Sequence, residues 1–370
     1  MSTGGSFIHA DFPGGNIVIE RVDGDDVYLR QDLRDTMGDW FFWYFAVRGA
    51  AGRDLRFHFA GENVFPPRGP AVSDDAGATW RWLGRERVEG GSFSYQVGHD
   101  DVRFSMTIPY LESNLHQFLA RHAGSPHLGV GELCRSRKGR AVELLRLGRL
   151  DGMAEHRLFF TARHHACESV ANYALEGAMD AILAETPEGR WFRANAECLV
   201  VPFVDKDGVE EGDQGKNRDP HDHNRDYMGK SIYPEVAAIR RLVPDWSGGR
   251  LRVAIDWHCP SIAREKTYLV GGPEPGNWEA IGRFSALLEA VQRGPLVYRR
   301  EDNVPFGSVP WNSDPLPSSC ARWAAGLPAI RFGATLEVPY GKSHQAVVDA
   351  QSARAFGADL VRALRVFLTE

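Results

Sequence analysis

Near residue 110 the chain changes rhythm, and no single regular architecture accommodates both parts. Before that point it runs in short alternating or aromatic-rich stretches separated by turn residues. Examples are Gly15-Asn16-Ile17-Val18-Ile19, Trp40-Phe41-Phe42-Trp43-Tyr44-Phe45-Ala46-Val47, Leu55-Arg56-Phe57-His58-Phe59 and Trp80-Arg81-Trp82-Leu83. Runs of β-branched and aromatic residues bounded by Gly, Asp and Pro read as strands. An all-β antiparallel sandwich or small barrel is therefore expected over residues 1–110. After Pro109, apolar runs of strand length alternate with stretches at helical spacing, the pattern of an α/β sheet covered by helices. Strands are expected at 157–162, 198–203, 251–257 and 329–336, and helices at 169–183 and 345–368. The second domain then spans 111–370.

Length and composition bound the function. At 370 residues the chain exceeds the usual size of a single core, which favours two domains. With 43% hydrophobic and 25% charged residues it falls in the range of folded, water-soluble proteins. A net charge of -6 argues against a protein built around nucleic-acid phosphates, so no nucleic-acid partner is expected. Residues 1–16 lack the basic and apolar regions of a secretory signal, and no apolar run is long enough to span a bilayer. A cytoplasmic protein without a membrane partner is expected. The cysteines Cys134, Cys167, Cys198, Cys259 and Cys320 are odd in number, scattered and without a CxxC pair. That argues against a disulfide framework and a thiolate zinc site and favours small buried residues.

The chemistry lies where metal-capable residues meet strand ends. His165 and Glu168 follow one expected strand, His258 ends a second and Glu337 ends a third. In open α/β sheets, ligands bind outside the carboxyl ends of the strands, so three strands deliver these groups to one rim. A spacing of i and i+3 lets one turn aim His165 and Glu168 at a common point. His164 stands beside His165, but only His165 forms HxxE with Glu168. Adding His258 gives the two-histidine, one-glutamate set of hydrolytic zinc sites, in which an open fourth position activates water near neutral pH.

The stretch Phe159-Phe160-Thr161-Ala162-Arg163-His164-His165-Ala166-Cys167-Glu168-Ser169 resembles the strand-to-helix passage of the zinc metallocarboxypeptidases, especially their cytosolic carboxypeptidase branch. The resemblance continues in order through Pro202-Phe203-Val204-Asp205-Lys206-Asp207-Gly208-Val209, Asp222-His223-Asn224-Arg225-Asp226-Tyr227, Asp256-Trp257-His258 and Thr335-Leu336-Glu337. A β domain ahead of the catalytic domain is also similar to that branch, so the likeness covers most of the chain. It implies a mixed-sheet α/β catalytic domain holding one zinc ion per chain on His165, Glu168 and His258. It further implies Glu337 as general base and Asn224 with Arg225 gripping a substrate carboxylate, for which a guanidinium fork is suited. Arg218 would polarise the scissile carbonyl, and Asp222 would orient a ligand histidine through its second ring nitrogen, a contact that Asp256 also offers.

The implied substrate is the C-terminus of a peptide or protein. Unlike carboxypeptidase A relatives, the chain has no Tyr between residues 303 and 322. Arg322, the basic residue nearest the expected specificity pocket, would favour an acidic C-terminal side chain. Two other readings fit the same residues. One is an amidohydrolase or deacylase acting on a small carboxylate-bearing amide or a cell-wall peptide. The other is a noncatalytic zinc-containing binding protein, which the joint presence of the ligand set and Glu337 disfavours.

Overall fold

The computed structural model describes residues 7–61 and 63–370. Residues 1–6, part of the stretch read above for a secretory signal, lie outside the described residues. Two five-stranded sheets occupy the chain up to Ser105. One runs in the order Ile8–His9, Tyr44–Arg48, Asp101–Ser105, Ala71–Ser73, Arg81–Trp82, and the other Val18–Asp23, Asp26–Arg30, Asp54–Phe59, Ser92–Gln96, Val88–Glu89. Their inner faces meet through aromatic rings, Phe45 against Phe57 at 5.3 Å and Phe57 against Phe104 at 5.0 Å between centroids. The aromatic runs thus form the filling of a sandwich rather than a barrel. One pairing departs from the antiparallel expectation, because Asp26–Arg30 and Asp54–Phe59 run parallel.

The remainder is built on a seven-stranded mixed sheet in the order Leu128–Arg135, Ala141–Gly148, Ala196–Val201, His156–Ala162, Leu251–His258, Phe332–Glu337, Tyr268–Val270. The four strands from Ala196–Val201 to Phe332–Glu337 are parallel, and the flanking strands are antiparallel. His156–Ala162 and Ala196–Val201 are buried along their whole length, as interior parallel strands covered on both faces must be. Alternate residues serve the two faces. Leu158 and Phe160 join the cluster that includes the helices Val170–Leu183 and Ala350–Thr369, whereas Phe159, Leu199 and Val201 pack with the helix Pro234–Ser247.

Local chemistry sets the helix ends. Thr186 accepts the Gly189 N–H and is followed by a proline in the first turn of Pro187–Asn195, and Asp349 caps the final helix by accepting from the Ser352 N–H. Val170–Leu183 and Ala350–Thr369 approach so closely that a Cβ on Gly177 would stand 2.0 Å from the Arg354 carbonyl oxygen, and one on Gly357 1.9 Å from that of Ala174. No described helix is long and apolar enough to cross a membrane.

Candidate metal centre

The ends of three neighbouring parallel strands define one rim. Ala162 is the register partner of Trp257, and His258 that of Glu337. Beyond Ala162 the chain turns abruptly into the helix Val170–Leu183. Arg163 takes φ +60° there, a backbone region unfavourable to side chains with a Cβ, and its own side chain secures the turn. Its guanidinium is buried and donates from Nε to the Ala166 carbonyl at 2.8 Å and from Nη1 to the Tyr110 carbonyl at 2.7 Å. Burial lowers its pKa. Gly215 lets a second loop press against the same turn, since a Cβ there would sit 2.1 Å from the Ala166 nitrogen.

The turn places His165 and Glu168 opposite His258. Glu168 Oε1 lies 3.0 Å from His165 Nδ1, and Oε2 lies 2.6 Å from His258 Nδ1. One ligand atom from each of the three residues falls within 4.8 Å of the others. Two imidazole nitrogens converging on a carboxylate are a donor set that suits a divalent cation such as zinc. The second ring nitrogens face carboxylates. His258 Nε2 is 2.7 Å from Asp256 Oδ2, and His165 Nε2 is 3.8 Å from Asp222 Oδ1. Burial works to raise the Asp222 pKa, but His165, Arg225 and the Asn217 N–H together hold it below the usual carboxylate range.

Glu337 stands at the same rim with its Oε2 buried and without a hydrogen-bond partner among the described residues. Burial first, and then the negative charge of Glu168, push its pKa up to about 7. Desolvation of this kind suits a carboxylate to accept and release a proton. A cavity of about 530 Å³ opens over the set and is also lined by Asn224, Arg225 and Arg322. The Asn224 amide is held in place, its Oδ1 accepting the Cys320 N–H at 2.9 Å and its Nδ2 lying 3.1 Å from His258 Nε2. Arg225 donates from Nη1 to the Asn224 carbonyl at 3.0 Å and is otherwise exposed to the cavity. Arg322 braces a loop through the carbonyls of Asp314 and Pro315, while its Nε is buried without a hydrogen-bond partner, 3.6 Å from Glu274.

Arg218 is not brought to this cavity. Its guanidinium is enclosed by Asp35, Asp205 and Asp213 at 3.0, 2.7 and 2.9 Å and borders a different pocket. Three carboxylates consume its donors, so the geometry gives it no carbonyl to polarise. The buried cation beside the ligand set is Lys216, whose Nζ is 2.6 Å from Glu168 Oε1 and 4.5 Å from the centroid of the Trp40 ring. The sequence hid Lys216 in a charge-dense loop; only its place two residues before Arg218 marked it.

Three more cavity residues escaped sequence reasoning. Trp40 comes from the β-sandwich part of the chain and closes one side. Arg264 adds a second exposed guanidinium. Tyr268 is the antiparallel register partner of Glu337, so a tyrosine does reach the site, from the edge strand rather than from residues 303–322.

Comparison with known proteins places this geometry in context. No protein-family model matches the chain. It is 28% identical over 244 residues to an uncharacterized protein of Zymomonas mobilis, covering 63% of each chain. To cytosolic carboxypeptidase 2 of Mus musculus it is 27% identical over 257 residues, covering 59% of this chain and 30% of that protein, so it spans less than two thirds of either relative. A crystal structure of a metallo-carboxypeptidase from Burkholderia cenocepacia superimposes with a TM-score of 0.80 at 20% identity over 98% of both chains, which establishes the shared fold.

Proposed function

We propose that this relative of the cytosolic carboxypeptidases, folded as a metallocarboxypeptidase, is a zinc-dependent peptidase that releases residues from the C-terminal end of peptides or protein tails. The observation that carries the reading is the convergence of His165, Glu168 and His258 beside Glu337, whose buried Oε2 has no hydrogen-bond partner among the described residues. One zinc ion per chain would be held by the two Nδ1 atoms and the Glu168 carboxylate. When bound, such an ion supplies Lewis acidity and acidifies water.

The chain's own residues supply the remainder. Glu337 takes the proton of the attacking water and passes it to the leaving amine. Asn224 and Arg225 bind the free carboxylate of the substrate, Arg225 through its charged fork. Lys216 replaces Arg218 as the cation facing the developing negative charge on the carbonyl oxygen, because it is the buried ammonium on that wall. The place of Arg322 in the cavity lining supports a preference for an acidic C-terminal side chain. Division into units 1–110 and 111–370 belongs to the same reading, supported by the two small sheets ending at Ser105 and the large sheet starting at Leu128. A cytoplasmic location is supported by the five unpaired cysteines and by the naming of the relatives.

The test is metal analysis of the purified protein combined with a panel of peptides that differ only in the last residue, each with an amidated twin. Stoichiometric zinc, cleavage of free-acid peptides and inertness of the amides are expected. Indifference to amidation would remove Asn224 and Arg225 from the proposed role. Turnover confined to small N-acyl amino acids would move the activity to the deacylase reading.

A further inference from the structure

We infer that Tyr227, His164 and Asp256 form a buried positioning chain that fixes the proton on His258 and thereby sets how tightly the site holds its metal ion. The inference rests on the zinc reading above and extends it to residues that touch neither ion nor substrate. Tyr227 Oη lies 2.8 Å from His164 Nε2, His164 Nδ1 lies 2.7 Å from Asp256 Oδ1, and Asp256 Oδ2 lies 2.7 Å from His258 Nε2. Tyr227, His164 and Asp256 are buried behind His258 and do not line the cavity, so no bulk water substitutes for a lost link among them.

The donor and acceptor chemistry gives this file a direction. For His258 to offer the lone pair of Nδ1 on the Glu168 side, its proton must sit on Nε2 and be donated to Asp256. An ionised Asp256 only accepts, so His164 must donate to it from Nδ1. Thr161 Oγ1 donates to the same oxygen at 2.8 Å. A neutral His164 that donates from Nδ1 has a bare Nε2, and that nitrogen accepts the Tyr227 hydroxyl proton. One proton arrangement therefore satisfies the three links from Tyr227 to His258 and leaves His258 Nδ1 free to bind metal; the Asn224 amide nitrogen, 3.1 Å from His258 Nε2, is itself a donor and takes no part in it.

His164 and His165 thus divide two tasks between adjacent positions. His165 faces Glu168 at the cavity, and His164 faces inward to brace the carboxylate behind His258. Without its His164 donor, Asp256 would be a buried carboxylate short of a partner. Its hold on the orientation and tautomer of His258 would then loosen.

The experiment measures zinc affinity by competition with a chromophoric chelator in the parent protein and in His164→Leu, His164→Asn and Tyr227→Phe, with thermal midpoints of the metal-free forms recorded in parallel. His164→Leu should weaken zinc binding about 10–100-fold, the range for loss of a partner behind a metal ligand. Tyr227→Phe should weaken it less, in the same direction. The amide nitrogen of His164→Asn can stand in for Nδ1 as a donor to Asp256, so this variant should recover most of the loss. Ring-nitrogen NMR shifts should place the His258 proton on Nε2 in the parent. Tyr227→Phe deletes a single oxygen and carries the test alone where His164→Leu does not fold. Zinc affinities of the folded variants within about twofold of the parent would overturn the positioning chain, whatever the thermal midpoints do, because a merely structural network would move only those. A parent protein that binds no zinc would overturn the zinc reading itself.

Discussion

His258 and Glu337 are register partners on neighbouring parallel strands, so the sheet itself sets the His258 imidazole and the buried Glu337 carboxyl side by side. The separation of their tasks is testable by Glu337→Gln, which preserves shape and removes the proton acceptor. Zinc content should stay stoichiometric, while kcat falls by about 10²–10⁴-fold, the usual contribution of a positioned acid–base group. Metal analysis and steady-state kinetics on the same preparation check both halves. Unchanged turnover would remove Glu337 from the mechanism.

Lys216 and Arg218 stand two residues apart and should respond in opposite ways to loss of charge. Lys216→Met removes the ammonium on the cavity wall, and kcat should drop about 10²–10³-fold with KM little altered. Arg218→Met strands Asp35, Asp205 and Asp213 around an apolar side chain. Its cost should fall on stability, about 3–5 kcal/mol, leaving kcat of the folded fraction near that of the parent. Denaturant titrations and steady-state kinetics over a range of substrate concentrations would distinguish the two, and a purely kinetic defect in Arg218→Met would restore Arg218 to the site.

The contrast between these two residues shows what a sequence can convey. That His165, Glu168, His258 and Glu337 share one rim is legible because each stands at or just past the end of a strand, and strand periodicity with parallel register fixes where strand ends go. The aromatic runs were legible as a sandwich for the same reason. Arg218 and Lys216 lie in a loop whose path depends on contacts far away in sequence, such as Asp35 with Arg218 and Trp40 with Lys216. No local pattern says which of two neighbouring cations turns inward. The contribution of Trp40 to the cavity was hidden for a related reason, since the aromatic run that carries it looks like core throughout.

His156 offers a pH test away from the metal centre. Burial lowers its pKa below the ordinary histidine value, and its Nδ1 has no hydrogen-bond partner while the ring stacks on Trp191 at 5.6 Å. The folded chain therefore keeps His156 neutral at mildly acidic pH, where the unfolded chain takes up a proton. Stability contributed at this position is present above the unfolded value near 6.5 and is lost as pH falls from there toward the folded value. His156→Phe keeps an apolar ring and should flatten that part of the stability profile. Denaturant midpoints of both proteins between neutral and mildly acidic pH decide the matter, and parallel profiles would refute it.

Gly177 and Gly357 link the packing of the molecule to the candidate metal centre. Val170–Leu183 begins two residues after Glu168, so the position of this helix fixes the carboxylate shared by the two histidines. A methyl group on Gly177 would meet the Arg354 carbonyl at 2.0 Å, and backbone cannot yield as a flexible side chain would. The final helix must then move outward. Gly177→Ala should cost about 1–3 kcal/mol or more despite the better helix propensity of alanine. The displaced helix should also carry Glu168 off its line between His165 and His258, weakening zinc binding along with stability. Calorimetry and chelator competition on the same variant test the linkage. A loss of stability with unchanged zinc affinity would show that the turn held by Arg163 insulates Glu168 from the helix that follows it.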